Sequence, residues 1–127
     1  MTMNDAFITF LSVDDLERSS AFYGTTLGLD LVTDQGSCRI FRVSESGFLG
    51  ICESERPVGA PGLIVTLVSD DVESFCADLV DRGVAFEHPL AHNSTFGITH
   101  AFLHDPDGHL IEIQRFDDSS WAVPTSP

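Results

Sequence analysis

Asp105-Pro106-Asp107-Gly108, followed by His109-Leu110-Ile111-Glu112-Ile113-Gln114, is the stretch from which the rest of the chain is read. An aspartate that bonds its own backbone, a proline of fixed φ and a glycine free to take positive φ make a chain reversal. After it, period-two alternation sets Leu110, Glu112 and Gln114 on one face of a strand and Ile111 and Ile113 on the other. A carboxylate therefore stands mid-strand among apolar neighbours. Because an isolated buried charge is too costly, such a group is paired, hydrogen-bonded, protonated or bound to a metal. Glu112 either lines a wet cavity and satisfies its neighbours' hydrogen bonds, or serves as a metal ligand or general base.

Outward from that hairpin, the chain repeats itself. Residues 6–13 are an apolar, β-prone run, Asp14-Asp15 offers a helix N-cap, and Leu16, Ser19, Ser20, Tyr23 and Leu27 recur at helical spacing before Gly28. The same order returns with a strand over 63–69, a cap at Asp70-Asp71 and a stripe of Val72, Phe75, Cys76, Leu79 and Val80 ending at Gly83. Setting Asp71 on Asp15 gives an offset of 71 − 15 = 56, which also sets Glu73 on Glu17 and Ile64 on Ile8. Three short strands are expected after each helix: 29–33, 37–43 and 48–52, then 85–87, 99–103 and 110–114, with a loop over 89–96. A copied unit packs against its copy. The expected organisation is a single domain over 1–127, with a first module at about 6–53, a Pro/Gly-rich linker at 54–62, a second module at about 63–116 and a loose tail at 117–127 in which only Trp121 is anchored.

Composition narrows the chemistry. Twenty acidic residues against six basic ones give a net charge of −14, and every base is an arginine. With no lysine, Schiff-base chemistry and a lysine general base are excluded. An acidic surface repels phosphate backbones and anionic membranes, so neither nucleic acid nor membrane is an expected partner; the charge serves solubility alone or, as the alternative, attraction of a cationic ligand. Cys38, Cys52 and Cys76 have no CxxC spacing and read as buried thiols of a reduced compartment. With no basic leader and no membrane-length apolar run, a cytoplasmic location is expected.

The βαβββ, linker, βαβββ order, the paired starts Asp14-Asp15-Leu16-Glu17 and Asp70-Asp71-Val72-Glu73, Phe22-Tyr23 with Leu27-Gly28-Leu29, and the closing DPDGHLIE together resemble the vicinal oxygen chelate superfamily of glyoxalases, bleomycin-resistance proteins and dioxygenases. The resemblance spans nearly the whole chain. It implies an α+β fold of two tandem modules whose mixed sheets curl around a cavity, in a protein that is often a homodimer. It also implies where metal ligands would stand: Ile8 and Ile64 on the first strands, about Gly50 on the fourth strand of module 1, and Glu112. Only Glu112 can ligate, so no metal and no cofactor are expected, the alternative being a divalent ion at Glu112.

Among the histidines, His100 and His104 share parity with Phe102 on the strand beside Glu112; either they are satisfied by backbone or solvent, or a His100–Glu112 pair orients a ligand or moves a proton. His88 and His92 fall in the polar loop, and His109, directly after a turn glycine, is expected at the surface. No nucleophile elbow, phosphate loop or zinc spacing occurs. The expected pocket wall is Ile8, Phe10, Phe41, Ile64, Thr66, His100 and Phe102, with Glu112 as its fixed polar point. Three functions stay open: a metal-free binder of an aromatic or amphipathic, cationic-leaning small molecule; a glyoxalase-like lyase, isomerase or dioxygenase using Glu112 and His100; or a structural dimer whose cavity is filled.

Overall fold

Alternation in the first strand already sorts core from surface in the computed structural model, which describes residues 3–118. In β1 (Phe7–Ser12) and just beyond it, Leu11 and Val13 are buried, whereas Ile8 and Phe10 are exposed. Asp15 then caps α1 (Leu16–Ser20) by accepting from the backbone N–H of Arg18 at 3.1 Å, and Glu53 accepts from that of Leu16 at 2.6 Å. These bonds satisfy donors that a helix start leaves unpaired. Over Ala21–Thr26 the helix widens, with the N–H of Leu27 bonding the carbonyl of Phe22 at 2.8 Å. Such i→i+5 turns are local departures from α-helix, and this one keeps Tyr23 and Leu27 inward with Leu16 and Ser19 while leaving Phe22 half-buried. Gly28, at φ 78°, ends the helix in a conformation open to glycine.

Three strands follow, β2 (Asp30–Asp34), β3 (Cys38–Arg42) and β4 (Gly47–Cys52), and the sheet order is β1-β4-β3-β2. The β1–β4 pair is parallel, and β4–β3 and β3–β2 are antiparallel. The second copy repeats this with β5 (Ile64–Val68), α2 (Val72–Asp81), β6 (His88–Asn93), β7 (Ile98–His104) and β8 (Leu110–Phe116), ordered β5-β8-β7-β6. The α+β fold of two tandem βαβββ modules is therefore observed. The chain divides into two compact units: the first runs to Leu63 and includes Asp105–His109, and the second holds Ile64–His104 and resumes at Leu110.

In each unit one sheet face is packed and the other is open. The packed face of the first is built from Leu11, Phe41, Leu49 and Ile51 with Leu16, Tyr23 and Leu27, and that of the second from Leu67, Ala101, Leu103, Ile111 and Ile113 with Val72, Cys76 and Leu79. Val80, expected on the inner stripe of α2, is 56% exposed. Among the described residues no helix is long and apolar enough to cross a membrane.

Two expectations are corrected. The sixth strand lies at His88–Asn93, not at 85–87, inside the segment expected to be a loop. Pro89 falls at the register shift between His88 and Ala91 on the edge strand of its sheet, a place where a missing N–H is tolerated. Cys38 and Cys52 are not free thiols: antiparallel pairing sets them directly opposite one another, and they form a disulfide, leaving Cys76 as the buried free cysteine. Trp121 and most of the expected tail lie outside the described residues.

Candidate functional site

The strand register of the second unit assembles the site. Glu112 on β8 is opposite Thr66 on β5 and Phe102 on β7, while His100 is opposite Gln114, so period two sends all five side chains to the open face. Glu112 is only 8% exposed. Its carboxylate accepts from the Thr66 hydroxyl at 2.7 Å (Oε1) and meets His100 Nδ1 at 2.6 Å (Oε2). The Gln114 amide, turned with its nitrogen toward the carboxylate, donates to Oε1 at 3.1 Å and to Oε2 at 2.9 Å.

An ionised carboxylate only accepts, so His100 Nδ1 carries the hydrogen, and Nε2 is left as an acceptor or proton-binding atom. The ring of Phe102 stands edge-on to that of His100, with centroids 5.0 Å apart, and His88 lies 6.0 Å beyond it. Ile64 and Val68, both nearly half exposed, supply apolar surface on the same face.

Of the residues expected to form the wall, the second unit thus brings together Thr66, His100, Phe102 and Glu112, with Ile64 two positions along β5. In the first unit, Ile8 and Phe10 occupy the open face, at 41% and 51% exposure. Phe41 does not join them. It is in register with Leu49 on the packed face, 2% exposed, with its ring centroid 6.4 Å from that of Tyr23. Gly50 is opposite Phe10 as Glu112 is opposite Thr66, which makes it the first-unit counterpart of Glu112. Phe10 lies over it, in the space that a Cβ would need.

The remaining histidines separate into distinct roles. His104 sits 3.6 Å from Glu87 near the surface, and His92 pairs with Asp117 at 2.8 Å. His109, expected at the surface, is 5% exposed and bonds the Asp105 carboxylate through Nδ1 at 2.7 Å. That same carboxylate accepts the Tyr23 hydroxyl at 2.7 Å and the backbone N–H groups of Asp107 and His109 at 3.0 and 2.8 Å. Asp107, next along the turn, pairs with Arg18 at 2.9 Å. Asp105, Asp107 and His109 offer ligand atoms within 4.8 Å of one another, but their contacts are already taken up in fastening the turn to α1. Burial and then the neighbouring Asp105 charge push the Tyr23 phenol far above its ordinary range, so it stays a neutral donor.

Gln114 and the Tyr23–Asp105–His109 network were not anticipated. The shared parity of Gln114 and Glu112 was a usable signal for the first; only folding brings Tyr23 to a turn 82 residues away.

The sequence pattern described for the Glyoxalase/Bleomycin resistance protein/Dioxygenase superfamily matches residues 6–113. Comparison with curated proteins gives no match. Solved structures that share the fold include TioX from Micromonospora sp. ML1, with a TM-score of 0.76, 18% identity and coverage of 89% of this chain and 99% of that one. A glyoxalase/bleomycin resistance protein/dioxygenase from Alicyclobacillus acidocaldarius gives 0.76 at 21% identity, covering 92% and 95%. A protein from Agrobacterium tumefaciens gives 0.69 at 26% identity, covering 91% and 94%. With the tandem modules, their register and a pattern match over most of its length in agreement, the chain belongs to the glyoxalase/bleomycin resistance protein/dioxygenase superfamily.

Proposed function

We propose that this chain is a metal-free, small-molecule-binding member of its superfamily, with the open face of its second sheet as a principal binding surface. The supporting observation is the condition of Glu112, whose two carboxylate oxygens are engaged by Thr66, His100 and Gln114. A catalytic divalent ion needs three or more convergent N/O ligands and an open position. Ile8, Ile64 and Gly50, the other positions at which the resemblance implies ligands, carry no side-chain donor, and Glu112 would have to surrender its hydrogen bonds. This donor set does not fit a catalytic ion.

The same face supplies Ile64, Val68 and the rings of Phe102 and His100 beside one oriented charge, which suits an aromatic or amphipathic ligand with a donor or cationic group. The net charge of −14 draws cations toward it. A homodimer acting in the cytoplasm, with no part for nucleic acid, completes the proposal. Isothermal titration against a panel of cationic and aromatic natural products, with elemental analysis and native mass spectrometry, tests it. Saturable binding that weakens in Phe102→Ala is expected. Absence of saturable heat with every member, or near-stoichiometric Fe, Mn, Ni or Zn that disappears in Glu112→Gln, would overturn it.

A second reading rests on the 2.6 Å His100–Glu112 contact. A carboxylate that fixes the tautomer leaves Nε2 able to take a proton from a bound substrate, the role of a base in a glyoxalase-like lyase or isomerase. Turnover by the metal-free protein that vanishes in both His100→Gln and Glu112→Gln would favour this over sequestration.

A further inference from the structure

Across the β3–β4 pair, Cys38 and Cys52 meet on the open face of the first sheet and are joined. Both are half-buried, and with Phe10, Ser12, Ser54 and Arg56 they line an open depression of about 440 Å³. Small-molecule sites run from roughly 300 to 1,000 Å³. The backbone ladder around the bond is complete without it: β3 and β4 pair without a break from Cys38↔Cys52 to Arg42↔Phe48, and the N–H of Glu53 bonds the carbonyl of Ser37 at 3.0 Å just beyond. Opening the sulfur–sulfur bond therefore sacrifices no strand pairing. The Ser12 and Ser54 hydroxyls are 3.4 Å apart at the depression, and among the described residues no carboxylate pairs with the Arg56 guanidinium. An unneutralised cation near a cysteine favours the thiolate, the reactive form in exchange.

We infer that the Cys38–Cys52 disulfide is a thiol-exchange site, entered from this depression by small-molecule thiols. The incoming thiolate attacks the Sγ of one cysteine and a mixed disulfide forms as the protein bond breaks. The other cysteine leaves as a thiolate and takes up a proton. A second small thiol then attacks the adduct, departs with the first as a small disulfide, and leaves both protein cysteines reduced. Two electrons pass from the two thiols to the protein, and a small disulfide reverses both steps.

The experiment uses the oxidised full chain, 2-mercaptoethanol as the thiol and iodoacetamide as the quench, read by intact mass. In native buffer the protein should first gain one thiol adduct and then, at higher thiol, two carbamidomethyl groups at Cys38 and Cys52. Cys76, 7% exposed, should label only in guanidinium and so marks unfolding. Arg56→Gln should slow adduct formation about threefold to tenfold at low salt, while Arg56→Lys should hold it near the native rate. Given the small disulfide, 2-hydroxyethyl disulfide, in place of the thiol, Cys38→Ser and Cys52→Ser should each fold and take up one adduct by exchange, releasing one 2-mercaptoethanol. Labelling of Cys38 and Cys52 only in step with Cys76 would overturn the inference, because the bond would then be a buried staple. Three free thiols that no small disulfide can close would overturn it too, as would loss of the native circular dichroism spectrum when both cysteines are replaced by serine.

Discussion

The two sheets have the same strand order and the same pairing, yet they fill the centre of the open face by opposite means. In the second unit, Thr66, Glu112, Phe102, His100 and Gln114 surround a carboxylate that needs donors and has them. In the first, the register puts Phe10, Gly50, Ile40, Cys38 and Cys52 in those five places. A ring lies over a glycine, and a covalent bond stands where the second unit has a histidine and an amide. The turns between the last two strands differ likewise. Both share a matching backbone bond, Val43 N–H to Gly47 at 2.9 Å and Asp105 N–H to His109 at 3.0 Å, but Val43 is exposed while the Asp105 carboxylate is buried under four hydrogen bonds. The backbone scheme thus constrains which positions meet without dictating whether charge, ring or sulfur occupies them.

The turns give the sharpest test of that difference. Asp105→Ala would leave the Tyr23 hydroxyl, His109 Nδ1 and two backbone N–H groups without their acceptor in a site closed to water. Removing one partner from a buried charged network costs about 3–5 kcal/mol. Val43→Ala, at the matching place in the other turn, trims a partly solvated side chain and should cost less than about 1 kcal/mol. Urea unfolding of the two variants checks the contrast, and comparable losses would show that the turns are equally fastened.

The open-face centres come next. In Glu112→Gln, half of the acceptor becomes an NH2 group facing other donors, so one or two of the bonds from Thr66, His100 and Gln114 are lost. That should cost about 1–3 kcal/mol. Thr66→Val in the same background should cost little more, because the hydroxyl has already lost its charged acceptor; fully additive losses in a double-mutant cycle would mean that the bond carries no coupling.

Much of this architecture was legible in the chain because period-two alternation and capped amphipathic helices leave marks in sequence. The Asp15/Asp71 offset found both modules, and alternation through Leu110, Glu112 and Gln114 put the glutamate and the amide on one face of their strand. Phe41 misled because an apolar residue in a strand fits either face, and only its opposition to Leu49 decides which. Pro89 misled because proline argues against a strand unless the strand is known to be at an edge. The cysteine pair was missed for a related reason: a bond across two strands follows register, not spacing along the chain. His109 read as exposed because its partners, Asp105 and through it Tyr23, are assembled by the turn itself.

Alkaline titration isolates the first unit's network. Tyr23 is the only tyrosine and there is no lysine, so few groups ionise near pH 10. Its folded-state value is raised above the ordinary 10.0, first by burial and then by the Asp105 charge. The stabilising contribution is therefore complete below pH 10 and falls as pH rises, because the unfolded chain releases a proton that the folded one keeps. The slope is about 1.4 kcal/mol per pH unit. Phenolate absorbance near 295 nm should appear together with loss of circular dichroism, and the slope should be absent in Tyr23→Phe. Ionisation of the folded protein near pH 10 would show that the hydroxyl is open to solvent.

The smallest expected effect probes the glycine under the ring. A Cβ on Gly50 would run into Phe10, but that ring is half exposed and can turn aside, so Gly50→Ala should cost only about 1 kcal/mol, the low end for overpacking. Phe10→Thr copies the residue found opposite Glu112 and removes the obstruction, so in that background Gly50→Ala should be neutral or slightly stabilising, alanine being less free than glycine in the unfolded chain. Thermal melts of the four proteins in the cycle read this directly. An equal cost of Gly50→Ala with and without the ring would place the constraint in the backbone of β4 and remove Phe10 as the reason that a glycine stands opposite it.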